Sequence, residues 1–78
     1  MKENELIKLI KKSLKTKQKI DINSKSNNIE EWDSVGHLIL LSNLDKQLKG
    51  ATSNIADIAT ADYVKKIINI LKKNKLIK

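Results

Sequence analysis

The stretch "EWDSVGHLILLSNLDKQL", residues 31–48, sets a Trp, an Asp and a Ser directly before a dense run of apolar residues. These apolar residues recur at helical spacing and predict a helix that starts at Ser34 and runs to about Lys49. Either Asp33 or Ser34 can cap this helix, because a short polar side chain accepts a hydrogen bond from a first-turn N–H. Gly50 follows where helices often end in a left-handed residue. We therefore expect one well-bounded central helix.

The segments on either side carry shorter helical patterns. Residues 3–16 combine apolar residues and lysines at the spacing of an amphipathic helix. "IADIA", residues 55–59, predicts one short helical turn. Thr60 is expected to cap a last helix, with Asp62 in its first turn, where a negative charge suits the helix dipole. An apolar stripe at residues 64–71 then predicts the buried face of that helix.

A polar loop over residues 17–32 separates the first two helices. It is rich in Asn and Ser, and Ile20, Ile22 and Ile29 are its isolated apolar anchors. Loops of this length are uncommon in compact domains and are often functional. The chain has no Pro and no alternating strand pattern. We therefore expect one all-α domain, residues 1–78, folded as a small four-helix bundle of three longer helices and one short helix.

The composition narrows the class of protein. The chain has no Cys, which excludes disulfides and thiolate metal sites and favours a reducing, cytoplasmic compartment. The longest apolar run, "LILL", is too short to cross a membrane. The net charge is +7 and all 16 basic residues are Lys, yet the charge is uneven: residues 1–19 carry +5, residues 20–64 carry −4 and residues 65–78 carry +6. A partner that approaches the middle of the chain therefore meets a different field from one that approaches the ends.

Asp33, Ser34 and His37 contain the residue types of a hydrolase triad. Ser34 and His37 are three residues apart and share a helix face. A triad also needs a carboxylate that orients the His and an oxyanion hole that faces the Ser, and a chain of 78 residues has little room for such a cleft. His37 is the one His of the chain, so it cannot assemble a metal site with other His or Cys ligands. We therefore expect neither catalysis nor a metal.

The order W-D-S-[LV]-G-H-L before an apolar helix resembles the attachment region of acyl carrier proteins, in the form of stand-alone and polyketide-type carriers. The resemblance covers nearly the whole chain. "ELIKLIKKSL" (5–14) is similar to the first helix of these carriers, and "IDINSKSNNIEEW" (20–32) to their long first loop. "IADIATADYVKKIINIL" (55–71) is similar to their short third helix, the following turn and the last helix. The resemblance implies a four-helix bundle of acyl carrier protein type.

The resemblance also implies the functional residues. Ser34 would carry 4′-phosphopantetheine, derived from coenzyme A, whose thiol holds acyl or aminoacyl groups as thioesters. A helix N-terminus suits the phosphate, because its free N–H groups and the helix dipole favour negative charge. Docking of partner enzymes would fall to residues around the second helix: Asp33, Val35, His37, Leu38, Ile39 and Asp45. An acyl chain would be lined by residues that are equally well explained as ordinary core: Leu40, Leu44, Ile58, Val64 and Ile67.

Departures from the family pattern concern the charge of the docking face. Ile39 and Lys46 stand where acids are common in these carriers, and Gly36 replaces the acid often found two residues after the Ser. The expected partners are a phosphopantetheinyl transferase and the acyl-loading, elongating or acyl-transfer enzymes of a fatty-acid, polyketide-like or other specialised pathway. The thinned acidic face favours a dedicated pathway over service to generic fatty-acid synthase enzymes. The carrier itself would be a monomer that catalyses nothing.

Two alternatives belong to other functional classes. The +7 charge is compatible with a small basic helical module that binds nucleic acid or an acidic surface. The absence of Arg and the scarcity of aromatic residues speak against nucleic acid, because Arg pairs with guanine edges and phosphates. The second alternative is a carrier-like fold that is never loaded and acts as an adaptor.

Overall fold

The computed structural model describes residues 1–77 and is all-helical, without a β-strand in that range. Lys78, the last residue of the predicted domain, lies outside the described residues. The regular structure consists of three α-helices: α1 (Glu3–Leu14), α2 (Ser34–Gln47) and α3 (Val64–Lys73). Short 3₁₀ turns occupy three further segments: Ser26–Asn28, Ala51–Asn54 and Ala56–Thr60. The prediction of an all-α fold is confirmed. The segment predicted as a short helix, 55–59, contains the 3₁₀ turn Ala56–Thr60, so the described residues hold three α-helices rather than four helices.

One apolar core joins the three helices. Each helix contributes residues at helical spacing: Leu6, Ile10 and Leu14 from α1, Leu40 and Leu44 from α2, and Val64, Ile67, Ile68 and Leu71 from α3. The full removal of a Leu or Ile side chain from water stabilises the fold by about 1.5–3 kcal/mol. The apolar stripe predicted for the last helix is confirmed at all four of its positions. No helix within residues 1–77 combines the length and the apolar character needed to cross a membrane.

Helix α2 has apolar residues on nearly every side, and only some of them are buried in the core. Leu40, Leu44 and Gly36 face inward, whereas Val35 and Leu38 are 64% and 66% exposed. Helical spacing alone did not separate these two groups. The exposure of Val35 and Leu38 agrees with what the resemblance implied for them.

The loop over residues 17–32 is ordered. Ile20 and Ile29 are buried as predicted, but Ile22 is 40% exposed and is not an anchor. The side chain of Asp21 accepts a hydrogen bond from the N–H of Asn23 at 2.9 Å, which turns the chain and directs Ile22 away from the core. The middle of the loop lies against the start of α3 through paired backbone hydrogen bonds: Ser26 N–H to Asp62 O at 2.8 Å and Val64 N–H to Ser24 O at 3.0 Å.

The helix ends differ in detail from the sequence prediction. Helix α2 ends at Gln47 rather than Lys49, because Lys49 already has a left-handed backbone with φ of 56°; Gly50 follows with φ of 85°, as predicted. Thr60 does not cap the last helix, which is a wrong prediction. Its hydroxyl donates to Asp57 O at 3.3 Å and thereby closes the 3₁₀ turn. Tyr63 occupies the N-cap position of α3, so Asp62 precedes the helix rather than lying in its first turn.

Candidate functional site

Ser34 is exposed and is the first residue of α2. Asp33 is the residue that caps this helix, since its Oδ1 accepts a hydrogen bond from the N–H of Gly36 at 2.8 Å. The first helical hydrogen bond runs from the N–H of His37 to Asp33 O, also at 2.8 Å. The sequence left open whether Asp33 or Ser34 forms the cap, and the structure assigns it to Asp33. The Ser34 side chain is therefore not required for capping.

The start of α2 favours a negative charge. The N–H groups of Ser34 and Val35 precede the first helical hydrogen bond, so they have no partner within the helix. Such N–H groups carry the positive end of the helix dipole, which favours a nearby anion by about 0.3–1 kcal/mol at a surface. A phosphate bonded to the Ser34 oxygen would lie within this field.

A hydrogen-bonded latch of Trp32, His37 and Ile58 lies beside Ser34. The indole N–H of Trp32 donates to His37 Nδ1 at 3.0 Å, and His37 Nε2 lies 3.2 Å from Ile58 O. An indole N–H is a donor only and a carbonyl is an acceptor only, so the two bonds together require Nδ1 to accept and Nε2 to donate. The two rings also stack, with centroids 6.2 Å apart and planes inclined by 23°.

The latch connects three parts of the chain around the attachment candidate. Trp32 ends the long loop and is buried, His37 completes the first turn of α2, and Ile58 lies in the 3₁₀ turn Ala56–Thr60. This arrangement gives half-buried His37 a structural role that the sequence did not reveal. Both ring nitrogens are occupied, so neither can act as a base toward Ser34. The geometry therefore does not assemble the triad considered from the sequence.

A groove of about 340 Å³ opens next to Ser34. One wall consists of Trp32, His37 and the start of α2. The opposite wall is the segment that leads from the last 3₁₀ turn toward α3: Ala59, Thr60, Ala61 and Asp62. Ser34 thus lines the same groove as Trp32 and His37 of the latch. Asp33, Ser34 and His37 were expected near the site from the sequence, whereas Thr60 and Asp62 were expected only at the start of the last helix.

The residues expected to line an acyl chain all belong to the core. Leu40, Leu44, Val64 and Ile67 have no exposed surface, and Ile58 is 3% exposed. The groove beside Ser34 is lined by other residues. The five residues expected to line an acyl chain are therefore ordinary core residues in this structure. A role for them in lining an acyl chain stays a prediction.

The residues expected to dock partners have mixed surroundings. Val35, Leu38 and Ile39 form an exposed apolar face on α2, with Ile39 43% exposed. Asp33 is occupied by capping. Asp45 is half-buried, and its Oδ1 accepts a hydrogen bond from the hydroxyl of Thr52 at 2.6 Å. The apolar face is thus open, whereas both carboxylates already have structural partners.

Gly36 does not belong to the docking face, although the family pattern often has an acid at this position. It is buried, and a Cβ atom added to it would lie well inside van der Waals contact with the backbone oxygen of Glu31 and 3.1 Å from a methyl carbon of Leu14. Glycine is required here by the close approach of the loop to α2. Of the three positions where an acid is expected from the family pattern, only Ile39 and Lys46 therefore lie on the exposed surface.

Comparisons with protein-family models, with curated proteins and with solved structures found no match to this chain. The functional interpretation therefore depends on the motif and on the geometry around Ser34.

Proposed function

We propose that this protein is an acyl carrier protein, a four-helix bundle of that type in which the 3₁₀ turn Ala56–Thr60 takes the place of the short helix. Ser34 is proposed to carry 4′-phosphopantetheine through a phosphodiester. The observation that carries the proposal is the exposed Ser34 at the start of α2, where it lines a groove. The thiol of the bound group would hold an acyl or aminoacyl intermediate as a thioester.

The surroundings of Ser34 fit a phosphate-bearing group. The N–H groups of Ser34 and Val35 favour the phosphate charge, and Asp33 caps the helix without using the Ser34 side chain. The wall of the groove combines the apolar ring surface of Trp32 with small residues such as Ala59 and Ala61. A slender chain of mixed polarity can lie against such a wall.

The neighbouring residues position the site and do not perform chemistry. The latch of Trp32, His37 and Ile58 holds the start of α2 against the last 3₁₀ turn. Partner enzymes are proposed to supply the transfer, loading and elongation steps. A carrier needs only an accessible attachment residue, so the proposal does not require a chain buried among Leu40, Leu44, Ile58, Val64 and Ile67.

The decisive experiment is modification in vitro. The protein is incubated with coenzyme A and a broad-specificity phosphopantetheinyl transferase, and its intact mass is measured. We expect one phosphopantetheine adduct on the wild type and none on Ser34→Ala. Ser42→Ala is the matched control, because Ser42 is an exposed serine of the same helix and its loss should leave the adduct unchanged.

The result that would refute the carrier proposal is a folded protein that takes no adduct from several transferases. Circular dichroism of each variant separates this outcome from unfolding, since the fold is predominantly helical. A folded but unmodified protein would leave the unloaded adaptor as the better interpretation.

The +7 net charge supports a second candidate, a basic module that binds nucleic acid. Titration with duplex DNA at increasing salt tests it. Tight binding that weakens steeply with salt would support this candidate, because phosphate contacts release counterions. No binding near physiological salt would exclude it.

A further inference from the structure

A second groove, of about 540 Å³, lies between α1 and α2, and Ile39, Asn43, Lys46 and Gln47 are the residues that α2 contributes to it. Met1, Leu9 and Ile39 contribute its apolar lining. Ile39 belongs both to this groove and to the exposed apolar face of α2. The groove is therefore continuous with the surface that begins beside Ser34.

The rim of this groove is strongly basic. It carries four lysines and one acid: Lys8, Lys12, Lys15 and Lys46, with Glu5 at one end. The Oε1 of Glu5 already accepts a hydrogen bond from the N–H of Lys2 at 3.2 Å. The salt bridge found within residues 1–77 joins Lys72 and Glu3, so it neutralises none of the four rim lysines. Long basic side chains can lay their aliphatic stems along apolar surface while their ammonium groups stay in water, so these lysines can border the apolar residues of the groove and still meet a charged partner.

The form of the groove indicates the kind of partner. It follows α1 from Glu5 to Lys15, a length of about 15 Å at 1.5 Å per residue. That length matches about three turns of a helix lying against the groove. An amphipathic helix binds such a groove with apolar residues at helical spacing, and charges on its flanks meet the rim. Flanking carboxylates would match the four lysines, whereas flanking lysines would be repelled.

We infer that the groove between α1 and α2 is a docking site for an acidic amphipathic helix of a partner enzyme. The inference rests on the proposed carrier function, because the partner is taken to be an enzyme that acts on a group carried by Ser34, five residues before Ile39 on the same helix. Ile39 and Lys46 stand where the family resemblance leads one to expect acids. An acidic docking face selects a partner with basic residues. The basic groove proposed here selects a partner with acidic residues instead.

The test uses the unmodified full chain and a synthetic peptide. The peptide is a helix of about three to four turns with a leucine stripe flanked by glutamates, and its control has glutamine at every glutamate position. Titration into isotope-labelled protein is followed by amide chemical shifts. We expect the acidic peptide to shift amides of Leu9, Lys12, Ile39 and Lys46 and to weaken as salt is raised. The glutamine peptide should bind at least about tenfold more weakly.

Charge-reversal variants show whether the rim is responsible. K8E/K12E should weaken the acidic peptide by about tenfold or more. K65E/K66E is the matched control, because it makes the same change in net charge at exposed lysines of α3 that do not line the groove. Ile39→Ser should also weaken binding of the peptide, since Ile39 supplies part of the apolar lining of the groove.

Three results would overturn the inference: equal loss in both charge-reversal variants, binding that ignores salt, or shifts that map elsewhere. Preference of the same groove for vesicles of anionic phosphatidylglycerol over the acidic peptide would also overturn it, in favour of a membrane surface. The peptide titration needs no modification of Ser34. Failure of docking and failure of the proposed carrier function are therefore observed separately.

Discussion

Replacement of His37 by Phe should destabilise the protein substantially, because it removes both hydrogen bonds of the latch while keeping a ring of similar size. The indole N–H of Trp32 and the carbonyl of Ile58 would each lose their partner. Trp32 is only 4% exposed, so its N–H cannot readily turn to water. The helix start beside Ser34 would then lose its connection to the last 3₁₀ turn.

The magnitude follows from the two lost bonds. A buried donor left without an acceptor costs about 1–3 kcal/mol, and the half-buried bond to Ile58 contributes about 0.5–1.5 kcal/mol. The sum is about 2–4 kcal/mol. A chain of this length has a free energy of unfolding of about 4–12 kcal/mol, so the loss is a large fraction of it. At about 4–8 °C per kcal/mol for a domain of this size, the thermal midpoint should fall by about 8–30 °C.

Two further variants separate the bonds. His37→Asn keeps an amide oxygen near the position of Nδ1, so Trp32 retains an acceptor. His37→Gln keeps an amide nitrogen near the position of Nε2, so Ile58 retains a donor. Because the unpaired indole is the larger cost, we expect stability to decrease in the order wild type, Asn, Gln, Phe.

The assay uses the one Trp of the chain as its own reporter. Trp32 fluorescence during urea and thermal unfolding gives the free energy of unfolding and the midpoint, and the emission maximum of the folded state reports the environment of the indole. A His37→Phe variant within about 0.5 kcal/mol of wild type would show that the latch does not stabilise the fold. An Asn variant as unstable as the Phe variant would show that the hydrogen bond to Trp32 is not the stronger of the two.

Other substitutions test the remaining contacts. Gly36→Ala should lower the free energy of unfolding by about 1–3 kcal/mol or more, because a Cβ there collides with the backbone of Glu31; urea unfolding measures it, and an unchanged midpoint would contradict the close approach. Thr52→Val should lower the free energy of unfolding by about 1–2 kcal/mol, because it removes the hydrogen bond to Asp45. Adding Asp45→Asn to this variant should restore little of the lost stability, which a double-mutant cycle measures. Glu3→Gln should change the thermal midpoint by no more than a few degrees, because it breaks an exposed ion pair with a lysine of α3; a larger fall would refute this view of the pair.

The helices could be predicted from the sequence because their periodicity is local. The stripes of α1 and α3 recur every three to four residues between lysines, so the pattern identifies both the helix and its buried side. The start of α2 was also predictable, since Asp33 and Ser34 precede the apolar run. Ser34, the proposed attachment residue, was selected by its motif, and the structure has it exposed as the first residue of α2.

Contacts between different segments of the chain could not be predicted from helical periodicity. The role of His37 depends on Trp32, five residues earlier, and on a carbonyl 21 residues later. Thr60 has the residue type of a helix cap, yet backbone pairing between the loop and the segment before α3 moves the helix start to Val64. Gly36 was interpreted as a missing charge, because nothing in the sequence indicates that the backbone of Glu31 passes so close to it.

The orientation of α2 decides which apolar residues the protein exposes, and periodicity alone cannot determine it. A helix with apolar residues on nearly every side has no polar face to direct the rest inward. Two contacts fix its rotation instead: Gly36 lies directly against the loop backbone, and His37 bonds on both ring nitrogens to buried partners. With these two residues turned inward, Val35, Leu38 and Ile39 must point outward. The exposed apolar face beside Ser34 is therefore a consequence of how the helix start is anchored, so variants that weaken the latch or Gly36 should disturb this face as well as stability.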